Sequence, residues 1–112
     1  MDKLTQMNLL YDFYGQLLTE RQKKFVELYY CHDLSLGEIS EQYGVSRQSV
    51  YDTLKRSGQT LQRFEEKLGL VAKSLEQREY LARALAHLNS GGKVDIENAR
   101  RILSHLIQAE EN

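Results

Sequence analysis

Apolar residues recur along this chain at the three- and four-residue spacing of helices rather than in the strict alternation of strands. Scattered glycines separate the periodic stretches, and the chain contains no proline. The pattern therefore predicts an all-α fold, a helical bundle. The six predicted helices cover about 4–14, 20–31, 36–43, 46–68, 71–89 and 96–109.

Local features refine three of these helices. Tyr29 and Tyr30 fall on the apolar face expected for the second helix. Gly58 lies inside the fourth helix, where glycine is unfavourable by about 1 kcal/mol relative to alanine, and so indicates a bend or a break. Asp95 is the expected N-cap of the last helix, since aspartate is favoured at that position.

The clearest local signal is a helix-turn-helix at 36–56, LGEISEQYGVSRQSVYDTLKR. Ser35 and Glu38 have the spacing of a capping box, which begins a helix. Gly44 can supply the positive φ that a tight interhelical turn needs, and Ser46 can cap the helix that follows. Two helices joined by a short glycine-containing turn form this motif. The apolar positions expected to face inward together are Ile39, Tyr43, Val45, Val50 and Leu54.

The second helix of such a unit is the one that enters the DNA major groove. Arginine can hydrogen-bond the edge of a guanine, and glutamine the edge of an adenine. We therefore predict that Arg47 and Gln48 contact bases. Lys55 and Arg56, two turns further on, suit phosphates. Residues 46–63 carry four basic side chains against one acidic, a formal charge of +3. The predicted DNA-binding residues are Ser46, Arg47, Gln48, Ser49, Tyr51, Asp52, Lys55 and Arg56.

Two alternatives stay open for this helix. Its basic side could be the solvated face of an ordinary helical bundle, without DNA. Tyr51 could contact a thymine methyl group or a phosphate, or it could pack on the helix that precedes Ser35.

The length of 112 residues predicts a single helical domain, 1–112. Within it, 19–68 forms the helix-turn-helix core and 70–112 a C-terminal helical extension. The extension carries more large aliphatic residues than the motif needs, for which there are two interpretations. It could be a lid that folds back on the first helix, or a dimerisation surface, since apolar stripes at this spacing suit helix pairing. A homodimer would present two recognition helices to a pseudo-palindromic site.

Net charge, cysteine content and the lengths of the apolar runs limit the functions and the location that we expect for this protein. The net charge is −1, which is unusual for a DNA-binding domain acting alone. The single Cys31 cannot form an internal disulfide and fits a reducing cytosol. No apolar run approaches the length of a membrane span, and the N-terminus lacks the flanks of a signal peptide. We therefore expect a cytoplasmic protein without membrane insertion.

No constellation of residues indicates catalysis. Cys31 and His32 are the one Cys-His neighbour pair, and adjacent residues of a helix do not face each other. No spacing of ligand-type residues suggests a metal site, and no glycine motif suggests a phosphate cradle. The sequence predicts a protein that is not an enzyme and needs no cofactor or metal.

The block TERQKKFVELYYCHDLSLGEISEQYGVSRQSVYDTLKR resembles the YlxM family of small helix-turn-helix proteins. The motifs that carry the resemblance are FVELYY, DLSLGEIS and GVSRQSVYDTLKR, and YDFYGQLLT near the start also fits. The resemblance is specific over 9–63 and weaker in the C-terminal third. The same region is more distantly similar to region four of bacterial sigma factors, a winged-helix-like superfamily member without a wing. In sigma factors, promoter DNA is read through residues that match Arg47, Gln48, Ser49 and Asp52.

The family resemblance implies an association with the signal recognition particle, because genes of this family tend to lie beside the gene for its GTPase in Gram-positive bacteria. Two functions follow. The first is a DNA-binding regulator of transcription whose partner is double-stranded DNA. The alternative is a partner of the signal-recognition-particle protein or RNA, without specific DNA binding. The near-zero net charge and the acidic Asp33, Glu38 and Glu41 favour this alternative, since they would steer a basic partner.

Overall fold

The structure, a computed structural model, describes residues 1–111. It is helical throughout and contains no strand over that range, which confirms the all-α prediction. A short 3-10 turn, Gly15–Leu17, follows the first helix, and a π-helical segment, Glu27–Cys31, follows the second. The α-helices are α1 (Lys3–Tyr14), α2 (Glu20–Val26), α3 (Leu36–Tyr43), α4 (Arg47–Leu68), α5 (Leu70–Ser90) and α6 (Lys93–Glu111).

The chain divides into two compact units, Met1–Val71 and the residues from Ala72 onward. The first unit contains the helix-turn-helix and also α1. α1 lies outside the helix-turn-helix core that the sequence predicts at 19–68. The second contains α6 and most of α5. A single domain spanning 1–112 stays a prediction.

The first unit has one hydrophobic core, and α4 is its central element, since α1, α2 and α3 all pack against it. Ile39 and Val50 are fully buried and Leu54 nearly so, as the apolar pattern predicts. Tyr43 and Val45 are half-buried at the edge of this core. The buried core residues are Met7, Leu10, Tyr14, Leu18, Phe25, Val26, Leu28, Ile39, Val50, Leu54, Leu61 and Val71.

The helix-turn-helix has the local geometry that its sequence predicts. Ser35 Oγ accepts the Glu38 amide at 3.0 Å, and Glu38 Oε1 accepts the Ser35 amide at 3.0 Å, so the capping box is complete. Gly44 ends α3 in the left-handed conformation, with φ +65°. Ser46 then caps α4 by accepting the Ser49 amide at 3.0 Å. These short-range bonds set where both helices begin and where α3 ends.

Two local predictions are wrong. α4 has no break at Gly58, because its inner face packs continuously into the core and this packing outweighs the cost of one glycine. A bend at Gly58 stays a prediction. α6 begins at Lys93, so Asp95 lies in its first turn rather than at its N-cap. The Asp95 carboxylate lies 2.9 Å from Nδ1 of His87 in α5, so it pairs with the preceding helix instead of capping α6.

Candidate nucleic-acid interface

The start of α4 places the predicted DNA-binding residues in one region of the surface. The inner face of the helix is set by Val50, Leu54 and Leu61, which are buried at helical spacing. Ser57 is buried on the same face, and the positions of 47–56 other than Val50 and Leu54 are exposed or half-buried. Ser46, Arg47, Gln48, Tyr51, Lys55 and Arg56 are exposed, whereas Ser49 and Asp52 are half-buried.

Lys55 and Arg56 are the basic residues best placed for phosphates. Both are exposed, and neither forms an ion pair with any residue in the described part of the chain. Their charge is therefore not neutralised within the first unit. Such side chains can exchange counterions for a nucleic-acid backbone.

Gln48 and Asp52 form a hydrogen-bonded pair along one side of α4. Gln48 Nε2 donates to Asp52 Oδ1 at 3.0 Å, the i,i+4 geometry that stabilises helices. The bond holds the Gln48 side chain along the helix and gives the Asp52 carboxylate a hydrogen-bond donor. A two-bond contact from Gln48 to an adenine requires this pair to open.

Arg47 lies across the two helices of the motif. A Cβ added to Gly37 would lie only 3.1 Å from Nε and Nη2 of Arg47, so the guanidinium occupies the space that the missing side chain leaves over α3. The structure thus does not bring Arg47 onto the same outward side as Gln48 and Lys55. A contact from Arg47 to a base requires its side chain to change rotamer.

Tyr51 lines an open groove on the flank of α4, which we call the α1–α4 groove. Tyr29 and Tyr30 line the same groove. Tyr29 is 37% exposed, so the prediction that it lies on a buried helix face is wrong, whereas Tyr30 is half-buried and packs against the core as predicted. The cause is the π-helical turn, closed by the bond from the His32 amide to the Glu27 carbonyl at 3.0 Å. The wider turn changes the register of the residues that follow Phe25, and Tyr29 lies at the surface.

The groove is the feature of this surface that sequence reasoning missed. Tyr29 and Tyr30 have the spacing of core residues because that spacing assumes 3.6 residues per turn, and nothing in it signals a π-turn. The two adjacent tyrosines at the end of a helix are the one available hint.

No helix within 1–111 has the length and apolar composition needed to cross a membrane. Over the same residues, no group of three His, Cys, Asp or Glu side chains is placed to hold a metal ion.

The capped helix pair, the left-handed glycine between its members and the core-seated second helix define an all-α helix-turn-helix protein. The chain belongs to the family described as "putative helix-turn-helix protein, YlxM / p13 like", whose model matches residues 1–102. That description is of a helix-turn-helix family and not of an enzyme family.

Relatives of similar length match over nearly the whole chain. The UPF0122 protein of Desulforamulus reducens is 47% identical over 116 aligned positions, covering 100% of this chain and 99% of the relative. The UPF0122 protein YlxM of Bacillus subtilis is 46% identical over 111 positions, covering 99% and 96%. A UPF0122 protein of Halalkalibacterium halodurans is 53% identical over 81 positions, covering 72% and 74%.

Proposed function

We propose that this protein is a regulator that binds double-stranded DNA through the start of α4. The observation that carries the proposal is the pair of exposed, unneutralised cations Lys55 and Arg56 on a helix whose opposite face is buried. In this proposal Lys55 and Arg56 bind phosphates, which position the helix but carry no sequence information. Gln48 and Arg47 read base edges once their intramolecular contacts open.

The other candidate residues have supporting roles in this proposal. The hydroxyl groups of Ser46 and Ser49 lie at the N-terminal end of α4, where they can bond the backbone of DNA. Asp52 holds Gln48 until DNA arrives. Tyr51, on the flank of the helix, contacts the edge of the bound duplex.

The test is selection from a random duplex pool, followed by a salt titration on the enriched sequence. Arg47→Ala should weaken binding to that sequence by about 1–3 kcal/mol and relax its specificity. Lys55→Ala should weaken binding to all sequences alike and reduce the slope of log affinity against log salt by about 1. Lys67→Ala is the matched control, because Lys67 lies in the last turn of α4 and its loss should change neither quantity. Failure to enrich any motif at modest salt would refute the proposal.

We also propose that the protein is a homodimer held together by its C-terminal unit. In that unit Ala84 and Ala99 are buried, at 2% and 1% exposure. Most large aliphatic side chains on α5 and α6 are exposed, and apolar stripes at this spacing suit pairing with a second copy. These exposed residues are Leu75, Leu81, Leu85, Leu88, Val94, Ile96, Leu103 and Ile107.

Light scattering after gel filtration measures this association. The protein should elute at roughly twice the chain mass of 13.0 kDa, and Leu81→Glu combined with Leu103→Glu should restore the monomer mass. Leu17→Glu, at an exposed leucine of the first unit, is the control and should leave the mass unchanged. A wild-type protein that elutes as a monomer at high micromolar concentration would refute the dimer.

A second candidate function is a cytoplasmic partner of the signal recognition particle. It is favoured by the exposed carboxylates of Asp33, Glu38 and Glu41, which can steer a basic partner. The Ser35 amide, by hydrogen bonding, lowers the pKa of Glu38 and so keeps that carboxylate ionised. Gel filtration of this protein mixed with the signal-recognition-particle protein, with and without its RNA, tests the idea. Separate elution at micromolar concentration would count against it.

A further inference from the structure

The α1–α4 groove as a whole has no role in the functions proposed above, although two of its lining residues, Tyr51 and Lys55, belong to the proposed DNA-binding surface. Its volume is about 570 Å³, and it lies entirely within the first unit. Met7, Leu10 and Leu54 form its apolar floor, and the three tyrosines, Tyr29, Tyr30 and Tyr51, stand along its walls. Tyrosine is among the residues that contribute most to binding at protein interfaces.

The charged residues that line the groove are basic. Lys3 and Lys55 line it, together with glutamine amides, and none of the described residues that line it is acidic. Asp33 lines a neighbouring hollow beyond Tyr29 and Tyr30, not the groove itself. An occupant with apolar side chains flanked by carboxylates would complement this lining, whereas a basic occupant would meet like charge.

The groove is also long and open. α4 contributes lining residues from Tyr51 to Gln62, which corresponds to roughly 16 Å at the helical rise of about 1.5 Å per residue. α1 contributes the opposite wall from Lys3 to Leu10. A trough between two helices, about three turns long, has the shape that receives an amphipathic helix.

We propose that the α1–α4 groove binds an acidic amphipathic helix of a partner protein. The apolar face of that helix lies on Met7, Leu10 and Leu54, and its flanking carboxylates pair with Lys3 and Lys55. Because Tyr51 and Lys55 also belong to the proposed DNA-binding surface, the bound helix and DNA would compete. This last consequence rests on the proposed function, whereas helix binding itself does not.

The experiment uses two labelled peptides of about 14 residues, enough for roughly three to four helical turns. Both carry leucine at helical spacing on one face, with glutamate beside the leucines in one peptide and lysine in the other. Fluorescence anisotropy with the full chain, in the absence of DNA, measures their affinities. The acidic peptide should bind about tenfold more tightly than the basic one, a difference of about 1.4 kcal/mol. Tyr51→Ala, at a half-exposed position, should weaken the acidic peptide severalfold.

Charge reversal makes the test specific. Lys3→Glu combined with Lys55→Glu should reverse the preference in favour of the basic peptide. Lys24→Glu combined with Lys67→Glu makes the same change in net charge away from the groove and should leave the preference unchanged. The proposal is overturned if neither peptide binds, if the two bind equally, or if the acidic preference survives the first double substitution. It is also overturned if laurate, a small apolar anion, binds the groove more tightly than the acidic peptide.

Because no DNA is present, these outcomes are independent of the proposed DNA binding. A further measurement adds duplex DNA to the complex of the protein with the acidic peptide. Displacement of the peptide tests only whether the two ligands share Tyr51 and Lys55.

Discussion

Replacing Tyr14 with phenylalanine tests the network that joins α1 to the end of α4. Tyr14 is 1% exposed, and its hydroxyl donates to Glu65 Oε1 at 2.6 Å. The same hydroxyl accepts the Leu70 amide at 3.0 Å, and Glu65 Oε1 also accepts the Val71 amide at 2.9 Å. The network surrounds Gly69, which ends α4 with φ +64°.

The expected change in the free energy of unfolding depends on which interactions Tyr14→Phe removes and which it keeps. The ring stays in place, stacked on Phe64 with centroids 6.0 Å apart, so no cavity of consequence forms. The hydrogen bond to a carboxylate is lost, and bonds to charged groups contribute about 1.5–3 kcal/mol. The Leu70 amide loses its acceptor, but Leu70 is 40% exposed and water can replace part of that bond. We therefore expect the free energy of unfolding to fall by about 2 kcal/mol.

Urea denaturation of the full chain, followed by far-UV circular dichroism and tyrosine fluorescence, measures this loss. Tyr29→Phe is the matched control. Tyr29 lies in the same unit and is 37% exposed, and its hydroxyl makes no hydrogen bond to any described residue. The control should change stability by less than about 0.5 kcal/mol. A Tyr14→Phe variant as stable as this control would refute the reasoning that the network stabilises the first unit.

Three further predictions concern glycines and alkaline pH. Gly58→Ala should stabilise the first unit by about 0.5–1 kcal/mol, because the new Cβ would make ordinary contact with Met7 at 3.7 Å; an unchanged urea midpoint would contradict this. Gly44→Ala should destabilise it by about 1–2 kcal/mol, since φ is +65° there, and a stabilised variant would be evidence against the left-handed turn. Burial and a neighbouring glutamate raise the pKa of both Tyr11 and Tyr14 above the ordinary value of 10.0. The folded state therefore holds these protons more tightly, so their contribution to stability is complete below pH 10 and lost as pH rises further. Thermal unfolding between about pH 8 and 12 should show this decline, and Tyr14→Phe should make it shallower.

The helix-turn-helix was predictable from the sequence because its signals act over three or four residues. The capping box of Ser35, the left-handed turn at Gly44 and the cap at Ser46 each depend on a side chain and a backbone group a few positions apart. The inner face of α4 was equally predictable, because its apolar spacing matches the helical repeat. The amino-acid sequence thus determined where the motif lies and which side of α4 is exposed.

The tertiary structure decided the features that depend on residues far apart in the chain. Core packing carries α4 through Gly58, and Asp95 pairs with His87 of α5 instead of capping α6. A π-turn brings Tyr29 to the same groove as Tyr51, and the absence of a side chain at Gly37 decides where the Arg47 guanidinium rests. None of these has a signature at fixed spacing, because each reflects the balance between one local preference and many long-range contacts.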